Sequence, residues 1–258
     1  MFNDKIAIIT GASSGIGRAT ALALAREGVH VALSARREAK LQSVAAEVRA
    51  LGREALAVPV DVCRQDEVDR AVRLTLERWG RVDYAIANAG QYVRAPVSSA
   101  TVADFQKAMD VNFYGALYLV LAVLPHLRSQ GSGHIVLVSS MDGKKGVPPD
   151  SPYVASKFAL AGFGEVLRQE LHGTSVGVST IFPGRVDTPM IDFLHVPSLS
   201  AKIPPDAVAA AIISAIRHRR AEVILPYQAR LLLYVNSLSP QLGDWAVRSF
   251  HLSGSEKG

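Results

Sequence analysis

The chain of 258 residues has one cysteine, Cys63, so no intrachain disulfide can form and a zinc site would lack the usual cysteine pairs. That predicts a reducing, cytoplasmic setting. Cys63 and the seven histidines show no metal-ligand spacing, so no metal is expected. Glycine (20) and proline (13) are too few and too scattered for a collagen-like or low-complexity chain, and 49% hydrophobic residues exclude disorder. The N-terminus, Met1-Phe2-Asn3-Asp4-Lys5, runs straight into a strand pattern, with no charged and apolar leader, so no export signal is expected. The longest uncharged apolar run, 115–125, falls short of the ~20 residues of a membrane-spanning helix, and no span is expected. Stripes of Lys and Arg interleaved with aromatics are also missing, which argues against a nucleic-acid partner. The net charge is only +5, with arginine supplying 20 of 28 basic residues. Six basic and three acidic residues fall in the last 42.

What is present is an alternation of short β-branched runs and amphipathic stretches. Strands are predicted over 6–9, 29–34, 55–60, 84–88, 135–139, 176–182 and 223–225. Helices are predicted over 18–27, 38–51, 65–79, about 102–127 and about 153–171. Runs without polar alternation imply strands buried on both faces, the mark of a parallel sheet covered by helices. With no linker or repeat, residues 1–258 read as one doubly wound α/β domain of seven parallel strands.

Between the first strand and the first helix lies Thr10-Gly11-Ala12-Ser13-Ser14-Gly15-Ile16-Gly17. Glycines there permit a sharp turn and bring backbone N–H groups and the positive helix end to a pyrophosphate. The spacing differs from the general Gly-x-Gly-x-x-Gly fingerprint, and no Gly-Lys-Ser/Thr follows, which disfavours phosphoryl transfer. The second strand ends at Ser34-Ala35-Arg36-Arg37. An acidic residue there would hold the ribose hydroxyls of NAD, whereas arginine pairs with a 2′-phosphate, so NADP(H) is expected over NAD(H).

Tyr153-Val154-Ala155-Ser156-Lys157 sets a phenol and an ammonium four residues apart on one helix face. A nearby cation stabilises a phenolate, which brings tyrosine into range for proton transfer. Thirteen residues before Tyr153, a buried strand ends in Ser139-Ser140, at the edge where open α/β sheets carry their sites. The ordered set of Thr10 to Gly17, Asp61-Val62, Asn88-Ala89-Gly90, Asn112, Ser140, Tyr153 with Lys157, and Pro183-Gly184 strongly resembles the short-chain dehydrogenase/reductase family, in its shorter single-domain branch. The resemblance covers roughly residues 5–190.

It implies a doubly wound (Rossmann) fold and hydride transfer between a nicotinamide and a carbonyl or alcohol. Tyr153 would be the general acid or base, and Ser140, preferred to Ser139 by its spacing to tyrosine, would orient the substrate oxygen. Lys157 would bind the nicotinamide ribose and depress the tyrosine pKa, and Asn112 would hold a water that relays protons to Lys157. Gly11, Ser13, Ser14, Gly15, Ile16 and Gly17 would hold the pyrophosphate, with Arg36 and Arg37 on the 2′-phosphate. Asp61 and Val62 would flank the adenine, and Asn88, Ala89 and Gly90 would line the cofactor beside Tyr153 and Lys157. Pro183, Gly184, Val186 and Thr188 would close over the nicotinamide. A nucleotide-binding regulatory protein of the same fold would have little use for Asn112, Ser140, Tyr153 and Lys157 together. A nucleotide-sugar epimerase-like enzyme typically has Gly-x-x-Gly-x-x-Gly and a longer substrate domain.

Residues 1–190 thus form the cofactor and catalytic core, and 190–204 the substrate loop, where Met190, Ile191, Phe193 and Leu194 suggest a hydrophobic pocket. Lys144 and Lys145, in the loop after Ser140, border the substrate as either solvated residues or an attraction for an acidic group. The family's usual Thr-Gly-Gln…Asp-Gly-Gly ending is absent. Residues 226–252 instead read as an appended apolar helical tail broken by Pro240, with Leu242, Trp245, Ala246 and Phe250 on one face. Its expected use is a cap over the substrate or a contact in a homodimer or homotetramer, with peripheral membrane contact as the rival. The expected partner is a small-molecule carbonyl or alcohol.

Overall fold

The computed structural model describes residues 2–195, 202–250, 252 and 254–256. The part of the expected substrate loop at 196–201 lies outside the described residues. In chain order the elements are β1 (Ile6–Thr10), α1 (Gly15–Arg26), β2 (His30–Ala35), α2 (Glu38–Ala50), β3 (Ala55–Pro59), α3 (Gln65–Trp79) and β4 (Tyr84–Ala87). They continue with α4 (Val102–Met109), α5 (Gly115–Gln130), β5 (Gly133–Val138), α6 (Ser151–Glu170), β6 (Val176–Pro183) and β7 (Leu194–His195). The chain then forms α7 (Pro205–His218), β8 (Glu222–Leu225), α8 (Ala229–Leu238), α9 (Pro240–Ser249) and β9 (Ser255–Glu256).

Seven strands form one parallel sheet in the order β3-β2-β1-β4-β5-β6-β8, as the apolar runs predict. Successive residues of β1 serve opposite faces. Ile9 packs with Leu24, Val44 and Ile212 from α1, α2 and α7, and Ile8 belongs with Val72, Leu119 and Leu160 from α3, α5 and α6. Both faces are therefore dry, and polar chemistry is confined to the strand ends. α7 goes beyond the predicted helices. Pro205 starts it in the first turn, where a missing N–H costs nothing, and Val208, Ile212 and Ile216 recur on its buried side.

The predicted helix over 102–127 is in fact α4 and α5 joined by a π turn, Asp110–Tyr114, in which the Gly115 N–H reaches back to the Asp110 carbonyl. The composite 102–130 is the one helix among the described residues long and apolar enough to cross a membrane, which the count of uncharged residues missed. Here its apolar stripe is used internally. Leu119, Val123 and Leu127 are fully buried against the sheet.

The tail forms the two predicted helices, with Ser239 capping α9 through the Leu242 N–H and Pro240 in its first turn. Its attachment is slight. α8 buries no residue and α9 buries only Gly243 and Val247. Lys145 reaches Asp244 of α9, and Lys144 pairs with Glu222 of β8 at 2.8 Å. The two lysines expected to be solvated or to attract an acid are instead spent on ion pairs that fix the loop after Ser140, and Lys145 is buried. The basic excess is partly absorbed too, since Arg217 pairs with Glu27 at 2.7 Å and Arg219 donates to the Ser175 carbonyl at 3.0 Å.

With so little buried surface, α9 depends on that ion pair. Lys145→Ala is expected to speed limited proteolysis within 226–252 severalfold while leaving the core fragment intact; an unchanged cleavage rate would count against the link.

Candidate active site

Because all strands of the sheet run the same way, the loops after β1, β2, β4, β5 and β6 meet at one edge, where they build a cleft of about 1290 Å³. The glycine turn is clamped from below by the end of β4. Asn88 Nδ2 donates to the carbonyls of Thr10 at 2.9 Å and Gly11 at 3.3 Å, and Thr10 Oγ1 accepts the N–H groups of Asn88 and Ala89, each at 3.1 Å. Gly11 has φ +67°, and a Cβ on Gly17 would lie 2.3 Å from the Gly11 carbonyl oxygen, so only glycine lets α1 start this close to the strand. Ser14, Gly15 and Ile16 open α1 on the cleft, and the Ser14 side chain makes no capping bond. A helix N-terminus presented in this way is a cradle that fits a pyrophosphate.

Arg36 and Arg37 follow β2 at the rim of the same cleft. Arg37 donates to Ser13 Oγ at 3.1 Å and Ser14 Oγ at 2.9 Å, which ties the arginine to the glycine turn. Asp61 and Val62 line the neighbouring wall, and Asp61 closes its own turn by accepting the Cys63 N–H at 3.1 Å. Burial and the Asp61 charge push the Cys63 thiol up to about 11, which disfavours its thiolate.

Ser140, Tyr153 and Lys157 meet at the middle of the cleft. Burial, with the nearby Asp142 charge, raises the Tyr153 pKa above that of free tyrosine, so the phenol holds its proton at neutral pH. Burial pulls Lys157 down to about 8, against the opposing pull of Asp142. Its ammonium donates to the Val138 carbonyl at 3.0 Å and stands 5.7 Å from the centre of the Tyr153 ring. Ser139, the rival serine, donates to the Lys157 carbonyl at 3.0 Å and is occupied in holding α6.

Asn112 lies behind the cleft, fully buried on the π turn. Its amide donates to the Gln91 carbonyl (3.0 Å) and to Ser156 Oγ (2.9 Å), and its Oδ1 accepts the Gln91 N–H at 2.7 Å. Ser156 in turn donates to the Tyr153 carbonyl at 2.7 Å. The side chain thus joins the loop after β4 to the helix of the tyrosine and does not touch Lys157 directly. The π turn was not legible from the apolar pattern.

Pro183, Gly184, Val186 and Thr188 line the far wall, where the Thr188 methyl would lie 2.8 Å from a Cβ on Gly15, so the loop after β6 meets the glycine turn. Met190, Ile191 and Leu194 line the cleft as expected, whereas Phe193 is exposed and instead approaches the Tyr92 ring. Leu231, Leu232, Val235, Leu242, Trp245, Ala246 and Phe250 of the tail line the cleft on the side of α8 and α9.

Sequence reasoning missed a polar group beside the tyrosine. Tyr92 stands edge-on to the Tyr153 ring at 4.8 Å and donates its hydroxyl to Asp150, which raises the Tyr92 pKa further above a value already lifted by burial. Asp142 lies two residues past Ser140, and burial, with the charge of Asp150, pushes it up to about 7. Its closeness to Ser140 in the chain is the signal that could have found it.

A glycine cradle and a buried hydroxyl–phenol–ammonium group at the edge of a parallel sheet fit the class of dinucleotide-dependent oxidoreductases. The family model described as short chain dehydrogenase matches residues 5–195. An uncharacterized oxidoreductase of Bacillus subtilis is 34% identical over 93% of this chain and 70% of its own length. Among solved structures, a short chain dehydrogenase/reductase from Burkholderia phymatum in complex with NAD is 27% identical, with TM-score 0.86 over 93% of this chain and 95% of that one. An actinorhodin polyketide ketoreductase with NADPH is 28% identical, with TM-score 0.81 over 87% and 97%. The chain belongs to the short-chain dehydrogenase/reductase family.

The raised Asp142 pKa has a stability consequence. Between the unfolded value near ~3.9 and about 7 the folded state binds more protons, so this group's contribution falls as pH rises through that window. Asp142→Asn is expected to raise the melting temperature by several degrees at about pH 8 and to leave it unchanged near the unfolded pKa. An equal shift at both pH values, read by differential scanning calorimetry, would remove the titration as its cause.

Proposed function

We propose that the protein is an NADP(H)-dependent carbonyl reductase or alcohol dehydrogenase for a hydrophobic small molecule. The reading is carried by Ser140, Tyr153 and Lys157 lining one cleft together with the glycine cradle. Gly11, Ser13, Ser14, Gly15, Ile16 and Gly17 would hold the pyrophosphate, Asp61 and Val62 the adenine, and Asn88, Ala89 and Gly90 the middle of the cofactor. Pro183, Gly184, Val186 and Thr188 would cover the nicotinamide, which when bound supplies or accepts the hydride. The rest is the chain's own work.

In reduction, the Tyr153 hydroxyl gives its proton to the substrate oxygen while the Ser140 hydroxyl fixes that oxygen by a hydrogen bond. The Lys157 ammonium stabilises the phenolate left behind and would hold the ribose hydroxyls of the cofactor. With the Asn112 amide engaged by Gln91 and Ser156, a water bound at the π turn would use a main-chain carbonyl to pass protons to Lys157. Alcohol oxidation runs the same contacts in reverse. The preference for a 2′-phosphate is supported by Arg36 and Arg37 at the rim, with no acid at the end of β2.

The apolar residues of the tail that line the cleft support a hydrophobic substrate. Leu121 of α5 and Phe158 and Val166 of α6 are exposed, and they offer a second copy an apolar face for a homodimer or homotetramer. A second use of the tail rests on Tyr227, Tyr234 and Leu238, which are 70%, 64% and 70% exposed and suit a peripheral membrane surface. Flotation with anionic liposomes tests that contact. A cytoplasmic setting belongs to the same reading.

Tyr153→Phe is expected to bind NADPH as the parent does and to lose about 10²–10⁴-fold in turnover of a ketone. Near-parental turnover would defeat the mechanism. Arg36→Asp is expected to weaken NADPH binding about 10–100-fold relative to NADH, as the loss of one or two charged hydrogen bonds implies. Fluorescence titration reads this ratio, and an unchanged ratio would defeat the cofactor assignment.

A further inference from the structure

Asp142 is an acid that the chemistry of the Tyr153–Ser140 pair does not call for. It sits in the one-turn helix Met141–Gly143 after β5, in the wall of the cleft. The Ser140 hydroxyl oxygen accepts the Asp142 N–H at 3.1 Å, which caps that turn, and donates its own proton to Asp142 Oδ2 at 3.3 Å. Capping accounts for the N–H and leaves the carboxylate unexplained. Among the described residues, the Ser140 side chain is the one hydrogen-bond partner of that carboxylate.

The turn is rigidly seated. A Cβ on Gly143 would meet the Lys157 carbonyl and Ser139 Oγ, both at 2.6 Å, and the ion pairs of Lys144 and Lys145 hold the next two residues. The carboxylate is therefore fixed beside the hydroxyl that has to orient the substrate oxygen. Asp150, Arg185 and Lys157 set the charge around it.

A count of protons exposes the consequence. Ser140 has a single O–H, and two acceptors compete for it, the Asp142 carboxylate and the substrate carbonyl. Tyr153 also donates to a plain ketone's oxygen, so once Ser140 turns to that oxygen it is the ionised Asp142 carboxylate that is left without a donor, which costs free energy in a buried site. A substrate that carries its own donor on the carbon next to the carbonyl removes the conflict. Its hydroxyl or amino group donates to Asp142, and the Ser140 O–H turns to the carbonyl. The oxygen of Ser140 continues to accept the Asp142 N–H throughout.

We propose that Asp142 is a specificity-determining residue that selects carbonyl substrates bearing a hydroxyl or amino group on the adjacent carbon, with an apolar remainder against α8 and α9. The inference rests on the carbonyl-reductase reading above. It goes beyond that reading by fixing the class of substrate, an α-hydroxy or α-amino ketone with a hydrocarbon tail, or the corresponding vicinal alcohol in oxidation. Asp142 binds the donor, and Tyr153 and Ser140 handle the oxygen that reacts.

The test compares hydroxymethyl octyl ketone with methyl octyl ketone under NADPH, for the parent chain and for Asp142→Ala and Asp142→Leu. The parent is expected to favour the hydroxy ketone by about 10–100-fold in kcat/KM, since a site built for a polar group rejects the analogue lacking it. Both variants are expected to lose this preference, chiefly through a KM for the hydroxy ketone that rises to that for the methyl ketone, over and above any change in turnover that the two ketones share. Equal parental activity on the two ketones overturns the proposal, as does a preference that survives both substitutions. A loss of turnover that is the same for both ketones makes Asp142 a positioning residue for Ser140 and overturns its role in specificity. A parent that binds NADPH and reduces no ketone or aldehyde, this pair included, overturns the reductase reading itself, a result distinct from the other three.

Discussion

Burying both faces of a sheet leaves polar chemistry only its edges, and with every strand of the large sheet running the same way a single edge receives the loops that follow the strands. Everything functional in the chain follows from that constraint. The fully buried faces of β1, shared between Ile8 on one side and Ile9 on the other, have no room for a charge. The glycine turn, the Ser140 turn and the loop after β6 consequently meet in one cleft although the sequence separates the first from the other two by more than a hundred residues. Within it, hydrogen bonds from Asn88 and Asn112 fix the relation between neighbouring loops. Asn88 is fastened to backbone groups and Asn112 to the Gln91 backbone and the Ser156 hydroxyl, and the backbone partners do not change when side chains around the cleft do.

The site keeps several ionisable groups out of water, and their shifts have opposite senses. Burial raises Tyr153 and Asp142 and lowers Lys157, while the charge of Asp142 supports the lysine and opposes ionisation of the tyrosine. A protonated phenol next to an ammonium is the state suited to giving a proton to a carbonyl oxygen. The two-residue separation of Asp142 from Ser140 makes the carboxylate part of that balance.

Much of this was legible in the residues. Apolar runs such as Ile6-Ala7-Ile8-Ile9 specify strands because no alternation leaves a face for water, and the glycine turn and the Tyr153–Lys157 spacing specify local geometry directly. The tail was legible as two apolar helices broken at Pro240. The lysines at 144 and 145 were not, because a charged loop residue reads as solvated until its partners, here Glu222 and Asp244, are brought to it from roughly eighty to a hundred residues away. Tyr92 and Asp150 escaped for the same reason, as each is unremarkable until the fold pairs them. The membrane-length composite of α4 and α5 shows the converse, since counting uncharged residues stops at a charge whereas a helix does not.

The π turn at Asp110–Tyr114 has a bearing on how the chain tolerates deletion. A single residue corresponds to about 100° of helical rotation. Removing one residue from the turn to straighten the helix would swing Leu119, Val123 and Leu127 around the axis and out of register with the sheet. Restoring that register would in turn displace Asn112 from Gln91 and Ser156. The angular phase of the α5 core stripe and the position of the Asn112 clamp are thus locked together, so the helix accepts exchanges of side chain here more readily than a change of length.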